Sequence, residues 1–195
     1  MGQEEVWDAI AGKWAKFRDK PTEEVIAFLS GKKGRVLDLG CGSGRHFLDI
    51  EGLEFYGVDF SEELLGFARE KGYVETKKAR VSAIPYGDSF FDYVVFSRVL
   101  HCVEGRRQRQ ESLEEVYRVL RKGGEALIIT WSEKGRKRLK GNKEGFVPWG
   151  IDGEKIMRYT YIYDAEELRE ELVGAGFEHK SLDEGWNIVA VVRKS

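Results

Sequence analysis

Residues 35–44 read Arg35-Val36-Leu37-Asp38-Leu39-Gly40-Cys41-Gly42-Ser43-Gly44, and this stretch decides the fold. A short β-rich run breaks into three glycines spaced by single residues, with a helix expected through about Ile50. Doubly wound α/β sheets hold nucleotides at such a strand-to-helix turn, beyond the carboxyl end of the strand. The glycines let the main chain approach a ligand that a Cβ would block. The dinucleotide fingerprint needs glycine at its first, third and sixth positions, and the sixth position from Gly40 is Arg45. A pyrophosphate cofactor is therefore disfavoured. Asp38 adds to this, because an anion there repels a diphosphate and suits a ligand with an ammonium and a sulfonium. Asp59 closes the next strand, Phe55–Asp59, about twenty residues on, where an acidic side chain meets ribose hydroxyls. Together these features read as an S-adenosylmethionine site.

Outward from this turn the chain alternates. Ser61 is placed to cap a helix that stops at Gly72, and strands are expected near 74–80 and 91–97. A helix near 108–120 precedes Gly123-Gly124 and the apolar strand Glu125–Trp131. Asp164 caps a last helix, and Phe177–Leu182 and Asn187–Val192 form a closing hairpin. Strands apolar on both faces and separated by helices predict a doubly wound, Rossmann-like sheet, mostly parallel, with helices on both faces. The hairpin adds one antiparallel strand near the C-terminus. Upstream, Trp7, Ile10, Ala11, Trp14 and Phe17 follow helical spacing over 5–17, and Thr22 opens a second helix with Val25, Ile26 and Leu29 inward. The expectation is a single domain over 1–195, with an N-terminal helical segment (1–30) and an insert or lid at 132–163.

Bulk properties narrow the classes. At 195 residues a core can form without disulfides or metals. The net charge of −2 gives no global case for nucleic acid. No apolar run is long enough to span a membrane, and the acidic N-terminus is not a secretory signal. Cys41 and Cys102 form no CxxC pair, so no metal site is expected and a cytoplasmic location is. A basic cluster lies in the insert at 132–145. There Lys134, Arg136, Lys137, Arg138, Lys140 and Lys143 face Glu133 and Glu144, a net +4. A loop of this kind can neutralise RNA phosphates, or simply be a solvated loop.

The stretches VLDLGCGSG, YGVDFS, IPYGDSFFDYVVFS and LRKGGEALI resemble the successive motifs of class I methyltransferases over roughly residues 34–131. The resemblance implies that Asp38, Gly40, Cys41 and Gly42 line the methionine end. It implies that Asp59 and Phe60 hold ribose and flank adenine, with Ser97 also at the cofactor. Relatives carry an acid where this chain has Arg80, so adenine would instead meet the backbone around Val81 and Ser82. The flanks resemble the tRNA wobble-uridine carboxymethyl methyltransferases, in Trp7…Trp14…Arg18-Asp19-Lys20-Pro21, Val99-Leu100-His101-Cys102, Phe146-Val147-Pro148-Trp149 and Arg158-Tyr159-Thr160-Tyr161-Ile162-Tyr163. The second histidine of the family's pair is Cys102 here. The resemblance implies methylation of the 5-carboxymethyluridine carboxylate in a tRNA anticodon stem-loop. It also implies a small zinc-binding activator protein added at a sheet edge.

That acceptor is ionised at neutral pH, so the task is orientation and desolvation rather than deprotonation. Arg18 and Arg158 are the candidate clamp, because guanidinium grips carboxylate with two hydrogen bonds. His101 is the candidate that orients the acceptor. Trp149, Tyr159 and Tyr161 are expected either to stack a base or to pack a lid. The alternatives are a methyltransferase of the same fold acting on a small metabolite, and a non-catalytic cofactor-binding scaffold.

Overall fold

The computed structural model describes residues 2–17, 19–134, 139, 141–151 and 153–195. Two helices, α1 (Gln3–Phe17) and α2 (Glu23–Leu29), precede β1 (Gly34–Leu39). Then follow β2 (Leu53–Asp59), α3 (Glu62–Ala68), β3 (Glu75–Lys78), β4 (Phe91–Ser97), a 3-10 turn (Leu100–Cys102) and α4 (Arg106–Val119). The chain continues with β5 (Leu120–Trp131), β6 (Glu144–Ile151), β7 (Glu154–Tyr161), α5 (Ala165–Gly174), β8 (Phe177–Glu184) and β9 (Asn187–Lys194).

Seven strands form one sheet in the order β3-β2-β1-β4-β5-β9-β8. The first five run parallel, and β9 lies antiparallel between β5 and β8, as the hairpin reading expects. Alternation along β1 separates two apolar layers. Leu37 and Leu39 join the layer under α4 and α5, whereas Val36 joins Val25, Phe28 and Leu29 of α2 on the other face. The strand order reverses at β1 and β4, and the ends of those strands open a crevice beyond their carboxyl termini.

Several local expectations need correction. No helix follows the glycine turn. Gly42 and Gly44 take φ of +53° and +79°, and the segment turns back through Gly44 N to Cys41 O and Phe47 N to Gly44 O. Phe47 then packs at 5.3 Å from both Phe55 and Tyr73, which draws the chain onto the sheet. Helix α3 ends at Ala68, before Gly72. Gly72 is instead required for space, since a Cβ there would lie 2.6 Å from the Phe47 ring. In α2 Phe28 is buried beside Val25 and Leu29, and Ile26 stands in solvent. Strand β5 begins at Leu120 and runs through Gly123-Gly124.

The antiparallel pair β6–β7 was not anticipated as strands. It packs against α1, and α1 in turn packs on α3. Polar contacts fix that helix. The Ser61 hydroxyl donates to Asp8 at 2.5 Å, the Tyr159 N–H donates to Gln3 at 2.9 Å, and Lys78 pairs with Glu4 at 2.8 Å.

Candidate active site

A cavity of about 910 Å³ opens beyond the carboxyl ends of β1, β2, β4 and β5, roofed by α1. The glycine turn forms its floor. Gly40 holds φ +71°, and a Cβ there would stand 2.5 Å from Val99 Cγ2, so no other residue fits without displacing the neighbouring loop. Where a Cβ would stand on Gly42 only Leu64 comes within reach, at 4.0 Å. Asp59, 4 % exposed, accepts from the N–H of Gly42 at 2.8 Å and of Ser61 at 2.9 Å. Burial raises its carboxyl to about 6 against those hydrogen bonds.

Gly40, Cys41, Gly42, Asp59, Phe60, Val81 and Ser97 all line this cavity. Asp38 does not. It is buried behind the turn and accepts from the Tyr73 hydroxyl at 2.7 Å, and burial raises it to about 7. Arg80 is exposed on the cavity's edge and lies 3.9 Å from Glu4, beside Val81 and Ser82.

The other end of the cavity carries the arginine and the histidine expected there. Arg158, on β7, is 8 % exposed and sits among three indoles, 5.4 Å from Trp7, 5.3 Å from Trp14 and 5.0 Å from Trp149. Such packing over aromatic faces stabilises a guanidinium in a dry site. His101 stacks on Trp131 at 4.9 Å, and its Nδ1 has no hydrogen-bond partner. Burial, then the charges of Arg158 and Arg98, lower it to about 3. His101 is therefore neutral at physiological pH. Arg18, the other half of the expected clamp, lies outside the described residues, as do Arg136, Lys137, Arg138 and Lys140 of the basic insert.

Two features were missed from sequence, the roles of Arg109 and Lys143. Tyr159 and Tyr161 are buried in the insert, the packing alternative expected for them, and their hydroxyls donate to Glu144 at 2.6 Å and Glu167 at 2.5 Å. Buried Arg109 braces them, 3.7 Å over the Tyr161 ring, and no periodicity distinguishes it from the other arginines of α4. Lys143 pairs with Glu167 at 2.8 Å and Asp164 at 3.2 Å rather than standing free for phosphate. Among the described residues no group of His, Cys, Asp or Glu is arranged to hold a metal ion.

A doubly wound sheet with a glycine turn, a strand-end aspartate and a deep cavity at the switch point defines an enzyme class that binds an adenosyl cofactor. A methyltransferase domain family matches residues 37–128. A protein of Encephalitozoon cuniculi named as a methyltransferase is 32 % identical over 157 residues, covering 77 % of this chain and 72 % of its own. The tRNA (carboxymethyluridine(34)-5-O)-methyltransferase of Xenopus tropicalis is 31 % identical over 73 % of this chain, which spans only 22 % of that relative. Among solved structures, a complex holding the Haloferax volcanii Trm112 methyltransferase activator and a protein named as a methyltransferase matches with a TM-score of 0.76. The identity is 17 %, covering 98 % of this chain and 97 % of that one. The Burkholderia thailandensis 1,6-didemethyltoxoflavin-N1-methyltransferase matches at 0.73 with 20 % identity, over 98 % of this chain and 87 % of that one. The chain belongs to the S-adenosylmethionine-dependent methyltransferases.

The residues present fit that cofactor. Open space over Gly42, an aspartate at the end of β2, and the buried Ser97 Oγ and His46 Nδ1 without partners supply room and hydrogen-bonding groups along one wall. The bound cofactor supplies an electrophilic methyl group on a sulfonium.

Proposed function

We propose that this chain methylates the carboxylate of 5-carboxymethyluridine at the wobble position of tRNA. The observation that carries the reading is Arg158, buried and still charged on the cavity wall beside His101. A desolvated guanidinium at the acceptor end favours an anionic acceptor over a neutral one. The protonation states agree. His101 at about 3 is a weak base, and burial pushes the Cys102 thiol up to about 12. Neither group is fit to strip a proton from an amine or hydroxyl, and a carboxylate needs no such step. The names of the relatives point to the same acceptor.

In this reading Asp59 and Phe60 hold the ribose, and Val81 and Ser82 line the adenine. Gly40, Cys41, Gly42 and Ser97 lie along the methionine end, with Asp38 setting the turn from behind. Arg18 and Arg158 clamp the carboxylate while His101 orients it. A small zinc-binding activator is the proposed partner, added at one of the sheet's edges, β3 or β8. The test is methyl transfer from labelled S-adenosylmethionine to tRNA containing 5-carboxymethyluridine, with nucleosides resolved by mass spectrometry, with and without the activator. The methyl ester at the wobble position is expected. No ester under either condition, from chain that binds cofactor, would replace this acceptor with a small metabolite.

A further inference from the structure

Among the described residues two that are not glycine hold a positive φ. One, Ser89 at +57°, lies in an exposed turn before β4. The other is Arg98 at +61°, immediately after Ser97 at the carboxyl end of β4, and it lines the cavity. Left-handed backbone is unfavourable for a residue with a long side chain. Such a conformation persists where the surroundings over-determine it, and strain of this sort collects at functional sites. Here the Arg98 N–H donates to the Ile129 carbonyl at 2.7 Å, so β5 holds the residue in that conformation. The residue so held lines the crevice, and its charge reaches the rings of both His46 and His101.

Its neighbourhood is built for an anion. Buried His46 and His101 line the same cavity, each with an Nδ1 that has no partner, and Arg98 acts electrostatically on both rings. Arg45 and Arg158 line the cavity as well. Of the acids that line the cavity, Glu104 is exposed six residues on, Glu4 is paired with Lys78, Asp8 accepts from Ser61 and Asp59 from the glycine turn. The two imidazoles stay neutral, so the positive charge comes from the arginines, and the ring nitrogens add hydrogen-bonding capacity without adding charge.

We infer that Arg98 binds a carboxylate inside the cavity that the two histidines also line. Two carboxylates are available, the acceptor's and that of the cofactor's amino-acid end. The acceptor assignment rests on the proposed function, and the cofactor assignment does not.

The experiment compares the wild type with Arg98→Asn and Arg98→Lys. Asparagine tolerates the left-handed backbone and removes the charge, so the turn is retained. Each protein is titrated calorimetrically with S-adenosylhomocysteine and with 5′-methylthioadenosine, which lacks the amino-acid end. KM and kcat are then measured with the carboxylate-bearing tRNA. If the acceptor's carboxylate is held, Arg98→Asn raises its KM about tenfold or more and leaves both affinities unchanged, with lysine restoring part of the loss. If the cofactor's is held, S-adenosylhomocysteine weakens by a similar factor and methylthioadenosine does not. Equal weakening of both nucleosides, or no change in any of the three readouts, overturns the inference. If the wild type methylates no carboxylate acceptor, the proposed function falls, and the two nucleoside titrations alone decide the role of Arg98.

Discussion

Asp59 joins the glycine turn to the start of α3 through its two backbone hydrogen bonds, and its ionisation links stability to ligand binding. In the unfolded chain the carboxyl ionises near 3.8, and in the folded chain near 6. Between these values the folded state binds the extra proton. Its stabilising contribution is thus complete below about 4 and is lost as pH rises through about 6. Thermal melts of the cofactor-free protein should show wild type losing stability relative to Asp59→Asn across that window. The proposed ribose contact needs the ionised form, so affinity for S-adenosylhomocysteine should rise through about pH 6 in wild type. It should be weaker and flat in Asp59→Asn, and a rise retained in the variant would move the ribose elsewhere. Arg158 makes a contrasting prediction. Arg158→Ala should lower kcat/KM for the carboxylate acceptor about a hundredfold, a typical effect of removing one fixed charge-stabilising donor. Cofactor affinity measured by calorimetry should stay within about twofold of wild type. A parallel fall in cofactor affinity would mean that the arginine serves the cofactor or the fold.

Among the elements, α1 packs chiefly on α3 and β7 rather than on the seven-stranded sheet. The contact from Ser61 to Asp8 ties it to α3, because the same Ser61 oxygen also caps that helix by accepting from Leu64 N–H at 3.2 Å. Asp8→Ala should speed hydrogen exchange across Gln3–Phe17 while leaving β1, β4 and β5 protected, as local rather than global opening requires. Uniform acceleration in helix and sheet would deny α1 any independent motion. The glycine turn is the opposite case. Gly40→Ala meets both a left-handed φ and a 2.5 Å approach to Val99, so a loss of about 2 kcal/mol or more is expected in denaturant unfolding. Legibility followed the same division. The parallel core was readable because Val36–Leu39, Phe55–Asp59 and Val94–Ser97 carry runs apolar on both faces, a pattern that depends only on local sequence. The β6–β7 pair was not, since Glu144–Ile151 and Glu154–Tyr161 contain glycines and a proline and alternate weakly. What orders them is packing against α1 and, through Tyr159, the bonds to Arg109 and Glu144. Asp59, Ser97, His101 and Arg158 could be found as strand-end or motif residues. Arg98 could not, because only its backbone angle sets it apart.

For the whole molecule, a net charge of −2 places the electrostatic case for RNA on the insert at 132–145. Replacing Lys134, Arg136, Lys137, Arg138 and Lys140 together should flatten the slope of log affinity against log salt for tRNA. The expected change is about 0.7–0.9 per cation that had met a phosphate. Replacing Lys143 alone should leave the slope unchanged, as its charge is committed to Glu167 and Asp164. An unaltered slope in the five-residue variant would remove RNA binding from the insert. Because β9 runs against its neighbours, Asn187 lies opposite Trp131 at the cavity and Arg193 opposite Glu125 at the far end of the sheet. A fluorophore or purification handle joined after Ser195 therefore departs from the face remote from the chemistry. A handle ahead of Gly2, which itself lines the cavity, would crowd the entrance that the cofactor must use.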